Sequence, residues 1–373
     1  MADMSCAGTI DAVRAAAFRI PTDQSEADGT LAWTSTVLVV VHVHAGNNRG
    51  LGVTYGHSSV VAVIEELLAP AISHRDCLDI AGCWDAMQRA VRNIGRSGIA
   101  SCAISALDLA LWDLKGQILS VSLARLLGCC RESVPVYGSG GFTSYSDVKL
   151  CEQLGHWAHE GGCRFVKMKI GSEPGRDPKR AEAARRAIGE CQLFVDANGA
   201  FSVQQALRFA GKTRDLDIRW FEEPVSSDDV RGLNAVRSRA PAGMDIAAGE
   251  YIFTLDDARG LLSSDAVDVL QADVTRCGGI SGFLKVAALA EANHIDLSAH
   301  CAPSMHRHVA CAVSRLRHVE WFHDHVRIEQ MLFDGAPILK DGMMTPDLAR
   351  PGHGLAFKAA DAARYQVSGE ALT

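Results

Sequence analysis

The sequence predicts an α/β protein: a (β/α)8-type barrel, in regular or modified (β/α)7β form, behind an N-terminal α+β capping domain. Three observations predict it. From residue 134 onward, eight short apolar runs alternate with helix-period segments, the pattern of a parallel barrel. Before them come three longer β-rich runs and then alanine- and leucine-rich helical stretches. Finally, seven consecutive runs of the eight finish on an ionisable residue, at spacings of 20–28 residues. A β/α unit takes about that length, so these residues recur at one structural level.

Residues 10–19 and 34–43 are rich in small and β-branched residues. Pro21 and Gly46-Asn47-Asn48 close them with turn chemistry. They read as strands of an antiparallel meander, with 50–55 as the third. From Ser58 the pattern is helical, over 60–69, 83–92 and 98–128, the last interrupted near Gly116. Residues 1–125 thus form the cap. The barrel, 126–330, takes its strands from 134–137, 165–170, 193–195, 218–221, 245–248, 267–271, 295–298 and 319–322. Helical segments such as 147–160, 178–188, 203–214 and 282–292 lie between them. A turn-rich segment, 331–373, is expected to pack back on the cap.

Composition narrows the function. Of 373 residues, 48% are hydrophobic and 22% charged, which is ordinary globular usage and excludes disordered and collagen-like classes. The net charge of −7 and the lack of a lysine/arginine block argue against nucleic acid as a partner. The longest apolar run, 37–43, is far short of the roughly 20 residues a bilayer needs. The opening MADMSCAGTID carries no export pattern, so a cytoplasmic protein is expected. Twelve cysteines with no CxxC spacing read as small buried thiols rather than a disulfide framework or zinc ribbon.

The strand ends carry the chemistry. In order they offer Lys167 and Lys169, Asp196, Glu222-Glu223-Pro224, Glu250, Asp273, His300 and Glu320. A single carboxylate after a strand often caps the next helix. Seven ionisable groups in phase would instead crowd like charges into one mouth, which is costly unless a cation sits there. Asp196, Glu222 and Glu250 come from consecutive strands, and a set of hard oxygens suits Mg²⁺ or Mn²⁺. Lys169 and His300 stand on opposite sides, one base for each face of a metal-chelated substrate. Asp273, one strand before His300, can orient its imidazole. Lys167 shares a strand face with Lys169 and should lower its pKa. This set suits removal of a proton α to a carboxylate, with the ene-diolate stabilised by the metal and by a protonated Glu320.

The motifs KMKIG at 167–171, VDANGAF at 195–201, WFEEP at 220–224, AAGE at 247–250, DVTRCGG at 273–279, SAH at 298–300 and VEW at 319–321 resemble, in order and spacing, the mandelate racemase subgroup of the enolase superfamily. The resemblance spans essentially the whole chain. It implies Lys169 and His300 as acid/base groups, Asp273 as the partner of His300, and Asp196, Glu222 and Glu250 as Mg²⁺ ligands. It also selects Glu222 over Glu223. Where mandelate racemase itself carries a lysine three residues after the dyad aspartate, this chain has Arg276, which keeps a cation with a different shape.

The resemblance implies either a racemase or an acid-sugar dehydratase. The polar candidates Ser139, Thr143, His57 and Asn198, with the 23–30 loop and the 55–58 turn, favour a polyhydroxy substrate. The expected reaction is dehydration of an aldonate or aldarate to a 2-keto-3-deoxy acid, with Lys169 as base and His300 as acid. The alternative is a racemase or epimerase of a 2-hydroxy acid with the same pair. A zinc amidohydrolase is a weaker alternative, suggested by His42-Val-His44, a pair that falls in the meander far from any barrel strand. His306, His308, His323 and His325 form two further HxH pairs in the loops after strands seven and eight. A small carboxylate substrate and a homo-oligomer complete the expectation.

Overall fold

The computed structural model describes residues 8–372. The first seven residues, on which much of the export reading rests, lie outside that range. The cap begins with β1 (Ala12–Ala27), β2 (Ala32–Ala45) and β3 (Asn48–Tyr55) as an antiparallel meander. A helical run follows, in which α1 (Val60–Val63) and α2 (Ala69–Ile72) bracket a π-turn at Ile64–Leu68. Then come α3 (Ile80–Ala90), α4 (Ile99–Leu119) and α5 (Leu123–Leu127).

The near-continuous apolar character of β2 has a packing reason. Val39 and Val41, with Ala15 and Ala17 of β1, enter the core under the cap helices. Leu38 and Val40, with Phe18 and Ile20, enter the larger core that includes the barrel. A strand covered on both faces has no polar side to show. Helix α4 runs unbroken through Gly116. A Cβ there would lie 2.6 Å from the Cα of Gly352, so this glycine allows close approach of a neighbouring segment and does not break the helix. The interruption falls instead at Ser120, which ends the helix in the left-handed region at φ 53°.

The barrel strands are β4 (Val134–Gly140), β5 (Phe165–Lys169), β6 (Gln192–Asp196), β7 (Ile218–Glu222), β8 (Asp245–Ala248), β9 (Val269–Ala272), β10 (Asp296–Ala299) and β11 (Leu316–Phe322). They pair in parallel in sequence order, and β11 closes the ring on β4, with Glu320 opposite Tyr137. Each strand is followed by a helix, so the barrel is a complete (β/α)8: α6 (Asp147–His159), α7 (Asp177–Ala187), α8 (Val203–Lys212), α9 (Val230–Arg237), α10 (Leu255–Ser263), α11 (Gly279–Ala292), α12 (Pro303–Val309) and α13 (His323–Leu332). Local sequence sets the starts: Ser202 and Thr254 form reciprocal capping boxes with Gln205 and Asp257.

An aromatic layer plugs the lower half of the barrel. Tyr137, Phe194 and Trp220 are buried there with Phe165 against them, and Phe194 stacks on Trp220 at 5.3 Å between centroids. Side chains above this floor face the upper mouth. The C-terminal segment threads back over both parts. Its β12 (Phe333–Asp334) pairs with β14 (Ala356–Phe357), and β13 (Met343–Met344) runs antiparallel to β4. After α14 (Ala359–Ala362), β15 (Gln366–Gly369) adds to the edge of β1, giving a cap sheet of order β15-β1-β2-β3. Among the described residues no helix is long and apolar enough to cross a membrane. The eleven described cysteines are free thiols.

Candidate active site

The strand-end residues converge. Register places Lys169, Asp196 and Glu222 side by side at the tops of β5, β6 and β7. Glu250, Asp273 and His300 follow just beyond β8, β9 and β10, and Glu320 sits on β11; all are at most 6% exposed. Lys169 Nζ donates to Asp196 Oδ2 at 2.5 Å. Lys167 Nζ lies 2.7 Å from both oxygens of Glu222 and 2.9 Å from Glu320 Oε1. His300 is held on both ring nitrogens, with Nδ1 2.9 Å from Asp273 Oδ2 and Nε2 2.9 Å from Glu250 Oε2. Asp273 is fixed in turn by Thr275, whose backbone N–H and hydroxyl each donate to Oδ1 at 2.7 Å. Arg276 donates to the Glu250 carbonyl at 3.0 Å.

Burial and crowding shift the titrations. Burial and the adjacent Asp196 push Glu222 up to about 8, against the pull of Lys167. Glu223 is pushed well above the carboxylate range by burial, then by Glu250 and Asp196. Burial opposes charge on Asp273, yet its hydrogen bond with His300 holds it below the ordinary range. His300 is raised: burial opposes the imidazolium, but Cys301, Glu250 and Asp273 outweigh it.

Two expectations need correction here. Burial and then Lys167 do push Lys169 down, but Asp196 together with Glu222 and Glu250 outweighs them, so Lys169 stands above its usual value. Glu320 is not a protonated donor: despite burial, Lys167 and His300 hold it well below the carboxylate range. It accepts from Ser139 Oγ at 2.6 Å and from the Cys301 backbone N–H at 3.0 Å.

The donor set fits a hard divalent cation. Asp196, Glu222 and Glu250 supply buried oxygens. Two more oxygens, Glu223 Oε1 and Asn198 Oδ1, are buried with no hydrogen-bond partner. Such orphaned acceptors are costly unless something positive meets them. Glu223 is the residue the sequence reading passed over. Strand alternation would turn it away from its neighbour Glu222, but a φ of +36° at Glu223 ends the alternation and brings it among Glu250 and Asp196.

A cavity of about 350 Å³ opens above these groups. Lys169, Asn198, Glu250, His300 and Glu320 line its base, and Asp28, Leu31, Trp33, Val37 and Tyr55 of the cap line its upper wall. The β1–β2 tip is seated on the barrel. A Cβ on Gly29 would fall 2.3 Å from the Ala197 carbonyl oxygen and 2.6 Å from that of Ile170. Asp28 holds the turn by accepting from the N–H groups of Thr30 and Leu31.

Of the four substrate-contact candidates, only Asn198 reaches this cavity. Ser139 is fully buried beneath Glu320. Thr143 is spent on the tip, its hydroxyl donating to the Asp28 carbonyl at 2.7 Å. His57 is exposed and bonded to Ser59. Among the HxH histidines, His306 and His308 are buried in backbone hydrogen bonds, and His323 pairs with Asp23 at 2.9 Å. His325 does line the cavity; its Nδ1 accepts from Ala302 N–H at 3.2 Å and its ring stacks on Tyr55 at 3.5 Å. His42 and His44 stay on β2, outside the mouth.

Residues 12–128 match the family described as mandelate racemase/muconate lactonizing enzyme, N-terminal domain, and residues 149–362 match enolase C-terminal domain-like. The chain is 33% identical to 3,6-anhydro-alpha-L-galactonate cycloisomerase of Streptomyces coelicolor, across 93% of this chain and 96% of that one. It is 31% identical to L-talarate/galactarate dehydratase of Salmonella typhimurium, across 89% and 82% of the two chains. A solved mandelate racemase/muconate lactonizing enzyme-like protein from Rubrobacter xylanophilus superposes with a TM-score of 0.94 at 48% identity, covering 96% of this chain and 100% of its own. Other similar solved chains hold bound magnesium.

Proposed function

The chain belongs to the mandelate racemase/muconate lactonizing enzyme family of the enolase superfamily, and from that membership we propose a Mg²⁺-dependent dehydratase of an acid sugar, an aldonate or aldarate. One observation carries the reading: Lys169 and the Asp273–His300 dyad flank a buried, all-oxygen carboxylate set at the floor of one cavity. The magnesium-bound structures and the dehydratase relatives support it. Asp196, Glu222 and Glu250 would hold Mg²⁺, whose charge would offset the negative charge that develops on the substrate carboxylate and, by neutralising Asp196, would weaken its hold on the Lys169 proton.

The remaining work falls to side chains. Lys169 takes the proton from C2, and the C–H electron pair moves into the carboxylate to give an ene-diolate. The pair then returns to form the C2–C3 double bond and expels the C3 hydroxyl, which leaves as water with a proton from His300 Nε2. The enol tautomerises to the 2-keto-3-deoxy acid. Asp273 holds the His300 Nδ1 proton and so keeps Nε2 toward the cavity. Lys167 neutralises Glu222 and Glu320 and limits the cost of their burial. Asn198 and His325 offer polar contacts for substrate hydroxyls.

A second reading has its own support. The cap wall is apolar at Leu31, Trp33 and Val37, and Phe322 faces it from the barrel. That surface suits a cyclic acid with fewer hydroxyls, which a cycloisomerase or a racemase would process with the same two bases. Proton NMR with Mg²⁺ in D2O, over a panel of mono- and diacid sugars and their anhydro forms, separates the two. Loss of the C2 proton with new 3-deoxy methylene signals is expected. Deuterium exchange at C2 with no loss of water, or ring opening of an anhydro acid, would replace the dehydratase reading with the second one.

A further inference from the structure

Directly after His300 stands Cys301, a residue with no part in the scheme above. Its backbone is left-handed, φ +50°, and its N–H donates to Glu320 Oε2 at 3.0 Å. The side chain lines the cavity. Its Sγ lies 3.3 Å from His300 Nε2 and 3.5 Å from Glu320 Oε2, and those two atoms are 3.8 Å apart. A tetrahedral zinc ion with bonds of about 2.3 Å to sulfur and 2.0–2.1 Å to nitrogen and oxygen spaces its ligands by about 3.3–3.6 Å. The triangle is already close to those edges.

The other atoms of these ligands are engaged in the way a metal site requires. His300 Nδ1 bonds Asp273, and Glu320 Oε1 bonds Ser139 and Lys167. A carboxylate behind a ligating histidine fixes the ring and raises its basicity. All three ligands are buried, yet all three line the cavity, which leaves a fourth position open to it. Glu250 Oε2, 2.9 Å from His300 Nε2, belongs to the neighbouring oxygen set. The mixed sulfur, nitrogen and oxygen set differs from that one in the ion it prefers: thiolate and imidazole favour Zn²⁺, carboxylates alone favour Mg²⁺.

We propose that His300, Cys301 and Glu320 form a second metal site, selective for a thiophilic divalent cation such as Zn²⁺, whose occupation inactivates the enzyme by capturing the acid/base nitrogen of His300. On binding, the Cys301 thiol gives up its proton to solvent and the thiolate coordinates the ion. The inhibitory consequence rests on the Mg²⁺-dependent reading of function; the binding site does not.

The test adds Co²⁺ to the Mg²⁺-saturated enzyme and records the near-ultraviolet spectrum, where cobalt bound to thiolate gives a charge-transfer band and cobalt bound to oxygens alone does not. The band is expected at one equivalent, bleached by Zn²⁺. It should be lost in Cys301→Ala and in Cys301→Ser, and kept when the exposed pair Cys129 and Cys130 is replaced by alanine. The half-inhibiting Zn²⁺ concentration, with each variant normalised to its own zinc-free rate, should rise at least tenfold in Cys301→Ala. No band, or a band that survives both Cys301 variants, overturns the site. A chain that turns over none of the acids tested would fail the functional reading alone, since the spectrum judges the site without turnover.

Discussion

Lys169 and His300 are each held by a carboxylate that is itself buried, so either can be removed without leaving a cavity in the apolar core. Lys169→Ala and His300→Asn should each cut turnover by at least about 100-fold, the low end for a lost general acid or base. The far-ultraviolet circular dichroism should stay unchanged; a variant that keeps wild-type rates would remove its residue from the scheme. Glu250→Gln should weaken Mg²⁺ by at least about tenfold in calorimetry, since even residues behind a metal ligand cost that much. Unchanged affinity would take Glu250 out of the ligand set. Away from the site, His308 is buried and its pKa falls to about 3. The unfolded chain takes up a proton near pH 6.5 that the folded chain refuses, so this residue's contribution is lost as pH falls from 6.5 toward 3. Between pH 7.5 and 5.5 wild type should lose about 1.4 kcal/mol more stability than His308→Gln in urea unfolding. Equal losses would show that His308 is not the group responsible.

At the scale of elements, the seating of the β1–β2 tip is the most sensitive contact. Gly29→Ala places a methyl where two carbonyl oxygens already stand. An overpacked contact costs about 1–3 kcal/mol, so kcat/KM should fall about tenfold or more and the melting temperature should drop by a few degrees. A variant with full kcat/KM would show that the seated tip is not required. The barrel strands were legible because each is a short apolar run and seven of the eight are closed by an ionisable residue, and β8 matches its expected bounds of 245–248. Side-chain direction was less legible. Ser139 lies on β4 and Thr143 follows it closely, yet one sits beneath Glu320 and the other binds the cap. Glu223 was missed because the pattern of alternation gives no sign of the positive φ that redirects it. The cap wall was hidden for another reason: Leu31, Trp33 and Val37 meet the mouth only through contacts hundreds of residues away.

For the whole molecule, the hydrophobic core does not stop at the boundary between cap and barrel. Phe18, Leu38 and Val53 of the cap share one buried cluster with Val166, Val195 and Phe221 of the barrel. Thr36 bonds Asp324, and Tyr55 reaches Glu329 at 3.3 Å. Calorimetry should therefore record one cooperative unfolding transition; two separated peaks would mean that cap and barrel fold as independent units. The pairing of Phe18 with Gln366 has a consequence for how such a molecule is made on the ribosome. Strand β1 is synthesised before the barrel strands and β15 after them, so the sheet that roofs the cavity lacks its edge strand until the barrel segments have emerged. The barrel can assemble first, while the roof over it is finished only after β15 has been made.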